Sequence, residues 1–174
     1  MKKISVIVFL LFAIVVVNAQ TFQQLKKLIA ADRAAGNQFG AAVAISGNYA
    51  VIGAADISGG QIQNNCNCVY VFENTNGIWV QKQKLFASDK ISGNDFGHAV
   101  SISGNNIIVG SPGVESGAGA AYIFKRNTSG YWIEEKKIVA SDRTAGDFFG
   151  TSVSITSVYG TGDASYALVL RLKI

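Results

Sequence analysis

Three groups of residues in this chain carry side chains that could do chemistry. Histidine occurs once, as His98. The cysteines form a close pair, Cys66 and Cys68, and Asp32, Asp89 and Asp142 are each followed five residues later by Asn37, Asn94 or Asp147. A catalytic histidine needs a nucleophile or a metal partner placed by the fold. The slots matching His98 in two related segments hold Ala41 and Thr151, so His98 is read as a variable strand position, not a catalytic group. Side chains at i and i+2 of an extended strand lie about 7 Å apart on one face, the far limit of bridging geometry. Cys66 and Cys68 can form a local disulfide only if the segment bends, and a free pair is the open alternative. Two thiolates alone make a weak metal site, and the spacing is not the C-x-x-C of redox motifs. The aspartate sets invite a metal or acid–base role, but a site built for chemistry is expected once, not three times. Asp and Asn close turns through their own backbone, and that is the role assigned to them. Asn127-Thr128-Ser129 has the form of a glycosylation sequon in a hairpin. No catalytic, cofactor-binding or metal residue is assigned.

The triplicated aspartates belong to a larger pattern. Gly36-Asn37-Gln38-Phe39-Gly40 precedes Val43-Ala44-Ile45-Ser46-Gly47-Asn48. Gly93-Asn94-Asp95-Phe96-Gly97 precedes Val100-Ser101-Ile102-Ser103-Gly104-Asn105, and Gly146-Asp147-Phe148-Phe149-Gly150 precedes Val153-Ser154-Ile155. Gly40, Gly97 and Gly150 stand 57 and 53 residues apart. Repeats of that size mean solenoids, propellers or arrays, whose units bury their faces on one another.

Within each copy the apolar period is near two, which predicts strands. In the second copy these are Phe96–Ser103, 106–110, 121–124 and 131–139. In the first they are Phe39–Ser46, Tyr49–Ala54, Val69–Glu73 and Ile78–Phe86. Gly-Asn pairs make tight turns between the first two, and the longest loops run from Ala55 to Asn65 and from Ser111 to Gly119. Four strands per repeat is the size of a propeller blade. Small residues such as Gly40-Ala41-Ala42 suit an inner strand near the axis. The second and third strands are apolar on both faces, as a sandwiched sheet requires. The fourth mixes Trp79 and Leu85 with Lys82 and Lys84, which blunts an outer edge. Leu25 to Ala30 matches these fourth strands but is expected to lack a partner.

Glycine at 19 and proline at 1 fit a strand-and-turn protein. Residues 1 to 19 read as a secretory signal: Lys2-Lys3, an apolar run from Ile4 to Val17, then Val17-Asn18-Ala19 before Gln20. The run is shorter than a spanning helix needs, so no transmembrane segment is expected after cleavage. Without Lys2 and Lys3, 13 basic residues face 11 acidic ones. The basic residues are scattered and no groove-reading motif accompanies them, which argues against a nucleic-acid partner.

The repeats resemble the FG-GAP family, the blade of integrin α-subunit propellers and of many secreted bacterial proteins. The residues that carry the likeness are Phe39-Gly40, Phe96-Gly97 and Phe149-Gly150, each followed by a Val-x-Ile strand. Val69-Tyr70-Val71-Phe72 and Ala121-Tyr122-Ile123-Phe124 add a third-strand match. The resemblance implies an all-β propeller of about two and a half four-stranded blades. Integrin-type blades often hold calcium in an Asp-rich loop after the first strand. Here Ser46-Gly47-Asn48 and Ser103-Gly104-Asn105 take its place, and calcium wants six to eight oxygens, so no calcium or other cofactor is expected.

The organisation expected is therefore a signal peptide at 1–19, an outer strand and linker at 20–38, blade 1 at 39–95, blade 2 at 96–148 and a partial, degenerate blade 3 at 149–174. After Ile155 the pattern decays and the later strands are expected to be missing, as in a fragment of a longer propeller. The resemblance implies a secreted or cell-surface, non-enzymatic module for adhesion or ligand binding, with an unknown protein or carbohydrate as ligand and self-association to cover open blade faces. The alternative is a fragment of a propeller-containing extracellular hydrolase, carbohydrate-active or phosphodiester-cleaving.

Overall fold

A computed structural model of the chain describes residues 26–32, 37–55, 66–157 and 165–170. The expected signal peptide, most of the first long loop and part of the third repeat lie outside those residues. The described elements are β1 (Ala42–Ser46), β2 (Tyr49–Ala54), β3 (Cys68–Thr75), β4 (Ile78–Leu85), β5 (Ala99–Ser103), β6 (Asn106–Ser111), a single turn α1 (Val114–Gly117), β7 (Ala120–Arg126), β8 (Trp132–Ile138), β9 (Ser152–Ser157) and β10 (Ser165–Leu170). They form two antiparallel four-stranded meanders, β1-β2-β3-β4 and β5-β6-β7-β8, and a two-stranded sheet of β9 and β10. The fold is all-β, an incomplete propeller of two full blades and part of a third. Among the described residues no helix is long and apolar enough to cross a membrane.

The turns follow from residues that accept positive φ. Gly47 and Gly104 adopt φ 55 and 56 in the two-residue turns after β1 and β5, and Asn76-Gly77 joins β3 to β4 at φ 53 and 82. Such turns match the twist of the strands they join. Each outer strand carries one extra residue. The register shifts between Val71 and Phe72 against β4, and between Ile123 and Phe124 against β8. Bulges at equivalent places bend both outer strands alike.

Each full blade is sandwiched, so its second and third strands are apolar on both faces. Val51, Val69 and Val71 of blade 1 pack with Phe96, Ile102, Ile107, Val109, Tyr122 and Phe124 of blade 2. Ile108 and Ala121, on the far side of blade 2, pack with Ile155, Phe149 and Val153 of the third. The other face of blade 1 holds Ala50, Ile52, Tyr70 and Phe72. Burial of this kind contributes roughly 25 cal/mol per Å² of apolar surface, and here it falls mostly between units.

Three expectations need correction. The inner strands begin at Ala42 and Ala99, not at Phe39 and Phe96, because Gly40 and Gly97 sit in turns at φ 97 and 95. The third repeat does not end at its first strand: β10 pairs with β9 along its length, from Ser165 opposite Ser157 to Leu170 opposite Ser152. Lastly, residues 26–30 are not a strand, and they are not without a partner. Leu28 and Ala30 pack on the face of Tyr70 and Phe72, and the Ala31 N–H donates to Gln81 Oε1 at 3.0 Å. The segment caps that face with two apolar side chains instead of extending a sheet.

Candidate functional site

Phe96-Gly97 and Phe149-Gly150 are joints between units. Phe96 is 1% exposed and meets Tyr122 and Phe124 edge-on at ring-centroid distances of 5.4 and 6.1 Å. Phe39 repeats the geometry against Tyr70 and Phe72 at 5.3 and 6.1 Å. Edge-to-face contact places the positive ring edge on the negative face. Gly97 and Gly150 let backbones touch: a methyl group at Gly53 would stand 2.0 Å from the Gly97 carbonyl oxygen, and one at Gly110 would stand 1.9 Å from that of Gly150. Phe149 packs instead on the aliphatic cluster of Ile108, Ala121 and Ile155 at the next interface.

The recurring aspartates do more than close turns. Asp32 accepts the Tyr70 hydroxyl at 2.9 Å and pairs with Lys84 Nζ at 2.5 Å. Asp89 accepts the Tyr122 hydroxyl at 2.7 Å and pairs with Lys137 Nζ at 2.6 Å. Each carboxylate lies in the connector ahead of a blade and bolts that blade's third strand to its fourth. A neighbouring staple repeats as well: Ala31 N–H meets Gln81, and the Ser88 N–H and hydroxyl meet Glu134, both at 2.8 Å. The hydrogen bonds from Lys84 and then Tyr70 hold the Asp32 carboxyl below the ordinary range. At Asp89 desolvation works the other way, but hydrogen bonds from Lys137 and Tyr122 prevail and lower it too. Burial, then the bond to Asp89, pushes the Tyr122 phenol up, so it stays a donor.

Both carboxyls are lowered on folding, so their contribution is complete above the unfolded-chain value of about 3.9 and is lost as pH falls through the folded values. Asp89→Asn is therefore expected to cost at most about 1 kcal/mol at neutral pH, since solvent screens a carboxylate that is 40% exposed, and to flatten the acid limb of the stability curve. Urea midpoints at neutral and acid pH check this, and acid limbs of equal slope in both proteins would contradict it.

Their companions differ from copy to copy. Asn37 Oδ1 accepts the Cys66 N–H at 3.1 Å, and the Asn94 carbonyl accepts the Ser111 hydroxyl at 2.6 Å. Asp147 Oδ2 accepts the Thr144 N–H at 2.9 Å, a turn closed by its own side chain. Cys66 and Cys68 are joined as a disulfide with their Cα atoms 5.0 Å apart. The bend that permits this is at Asn67, which takes φ 39. His98 lies just ahead of β5, where its N–H donates to the Asp95 carbonyl at 3.0 Å. Asn127 of the sequon is exposed in the hairpin between β7 and β8, and its Oδ1 accepts the Tyr131 N–H at 2.9 Å. No group of three or more metal-binding side chains occurs among the described residues.

One constellation was not anticipated. At the hairpin end of blades 1 and 2 a cleft of about 450 Å³ opens between Tyr49, Glu73, Lys82, Arg126, Tyr131 and Trp132. Tyr49 and Trp132 stack edge-on at 4.8 Å, and the Arg126 guanidinium lies over both rings, 4.7 and 5.4 Å from their centroids. The Tyr49 hydroxyl donates to Glu73 Oε1 at 2.7 Å, and Lys82 holds Glu73 Oε2 at 3.0 Å. These bonds, from Tyr49 first and then Lys82, lower the Glu73 carboxyl. The Gln83 amide fixes the rear wall by exchanging hydrogen bonds with the Trp132 backbone at 2.8 and 2.9 Å. Recurring Tyr, Lys and Asp could have revealed the clamps in the sequence. The cleft has no such signature, because Tyr49 and Glu73 match Asn106 and Lys125 in the next blade.

No curated protein is detectably similar to the chain. Residues 22–72, 79–124 and 132–159 match the FG-GAP repeat model, stretches that include all three Phe-Gly pairs and both clamps, and the chain belongs to the FG-GAP repeat family.

Proposed function

We propose that this chain is a non-enzymatic ligand-binding module of the adhesion type, working outside the cell or at its surface. The observation that supports this is the duplicated Asp–Tyr–Lys clamp. The polar side chains that recur from blade to blade fasten strands with one geometry. The repeated unit is thus a scaffold, and its rims are free to vary and to bind. FG-GAP repeats occur in extracellular and surface proteins, and the leader at 1–19 would route the chain there. The ligand is an extracellular protein or carbohydrate, received at the end of the blades where β2 and β6 finish. A second copy of the chain is a further partner, through the uncovered face of β1. Calcium is not required, since the turns after β1 and β5 carry no carboxylate.

The test is retention of the purified protein on an immobilised panel of cell-wall polysaccharides and matrix proteins, with and without a chelator, beside an assay for cleaved products. Saturable retention that ignores the chelator, with no product released, is expected. Product release, or retention abolished by chelation, would overturn the reading.

A further inference from the structure

The meander places the turns after β1, β3, β5 and β7 at one end of the blades and the long loops at the other. The cleft of Tyr49, Glu73, Arg126 and Tyr131 therefore lies on the rim opposite the loops considered above. Its size is in the range of small-ligand sites, and its charges are arranged unequally. The Glu73 carboxylate already has a tyrosine hydroxyl and a lysine. Among the described residues no carboxylate forms a salt bridge with Arg126. The guanidinium is held by its face on two aromatic rings and by a hydrogen bond with the Tyr49 hydroxyl, and the rest of its edge, the part that grips a carboxylate by two parallel bonds, is left for another molecule. Trp132 Nε1 and Arg126 Nε are buried without an acceptor among the described residues, so this corner is short of oxygen. On the open side Tyr131 is 57% exposed and lines the same cleft.

We propose that this cleft binds a carboxylate-bearing saccharide, with Arg126 taking the carboxylate, Glu73 accepting a hydroxyl and Tyr131 covering a face of the sugar ring. Glu73 decides between ligand classes. It would repel a plain polyanion such as an acidic peptide, but it is the acceptor that a sugar hydroxyl needs beside its carboxylate. An exposed tyrosine ring beside mixed polar groups also suits an amphipathic sugar face, apolar with polar edges. The proposal rests on the binding-module reading but gives it a different rim and a chemical class.

Calorimetric titration tests it with three probes: an otherwise neutral oligosaccharide carrying one galacturonate residue, its methyl ester, and an oligoglutamate peptide. The acid sugar is expected to bind, the ester about tenfold more weakly or worse, as loss of a charge-assisted pair implies, and the peptide not measurably. Arg126→Gln should reproduce the loss seen with the ester. Because Arg126 also packs on Trp132, Tyr131→Ala, at an exposed position, serves as the second variant and should weaken the acid sugar with an unchanged melting temperature. Equal affinity for sugar and ester, equal affinity in both variants, or tighter binding of the peptide would overturn the site. If the protein is retained on the wider panel yet ignores all three probes, the site fails and the binding-module reading stands. If it is retained on nothing, both fail.

Discussion

Replacing Gly110 with alanine is expected to cost about 3 kcal/mol or more, whereas the same change at Gly40 should cost about 1 to 2 kcal/mol. Gly110 has no special φ to protect. Its added methyl would collide with the Gly150 carbonyl oxygen at 1.9 Å, and that oxygen is backbone, held by the adjoining unit. Either the blades part or the ladder bends. Gly53 should behave like Gly110, because its methyl would meet the Gly97 oxygen at 2.0 Å. Gly40 is the internal control: it takes φ 97, but nothing lies within 4 Å of the added carbon, so only the left-handed backbone is penalised. Urea denaturation of the three variants decides the point. A Gly110→Ala protein no weaker than Gly40→Ala would mean that the blades are not in backbone contact.

The second large effect is on association. Val43 and Ile45 of β1 are each 64% exposed, while Ile102 and Ile155, the counterparts of Ile45 in the next two repeats, are each 7% exposed. In those repeats the strand is covered by the inner strand of the unit before it: Ser46 Oγ receives the Gly104 N–H at 3.3 Å, and Ser101 Oγ receives that of Ile155 at 3.2 Å. At the other end, β9 presents Ser154 in the register of Ser101. A second copy can therefore dock head to tail, its β9 covering the Val43 and Ile45 of the first. Fully burying two such side chains is worth roughly 1.5–3 kcal/mol each, so Ile45→Lys should raise the dissociation constant by at least about tenfold. Sedimentation over a concentration series should show association of the parent protein and a shift to monomer in the variant. Val80→Lys, on an outer strand, should leave association unchanged. A parent protein that is monomeric throughout would remove the basis for this contact.

The blade architecture was legible because a strand pattern written nearly three times leaves little choice of partner. What escaped was set by neighbours. Phe39 and Phe96 look like residues of the first strand, but each ring packs on the third strand of its own blade. β10 was missed because Tyr166 to Leu168 lacks the Gly-Asn turn that marks its counterparts. The aspartates were visible as a set, but turn closure was too local a role for Asp32 and Asp89. Their partners, Tyr70 with Lys84 and Tyr122 with Lys137, stand on strands far along the chain. The cleft was invisible for the opposite reason, since Tyr49 and Glu73 are where one repeat departs from the next.

The clamps also have a direction in time. Asp32 and Lys84 are 52 residues apart, and Asp89 and Lys137 are 48, so each carboxylate leaves the ribosome almost one whole repeat before its lysine. At about 5–20 residues per second this is a wait on the order of seconds, during which the connector is made and the blade it will fasten is not. A blade is thus locked only when its own outer strand emerges, and translation advances the chain one finished unit at a time.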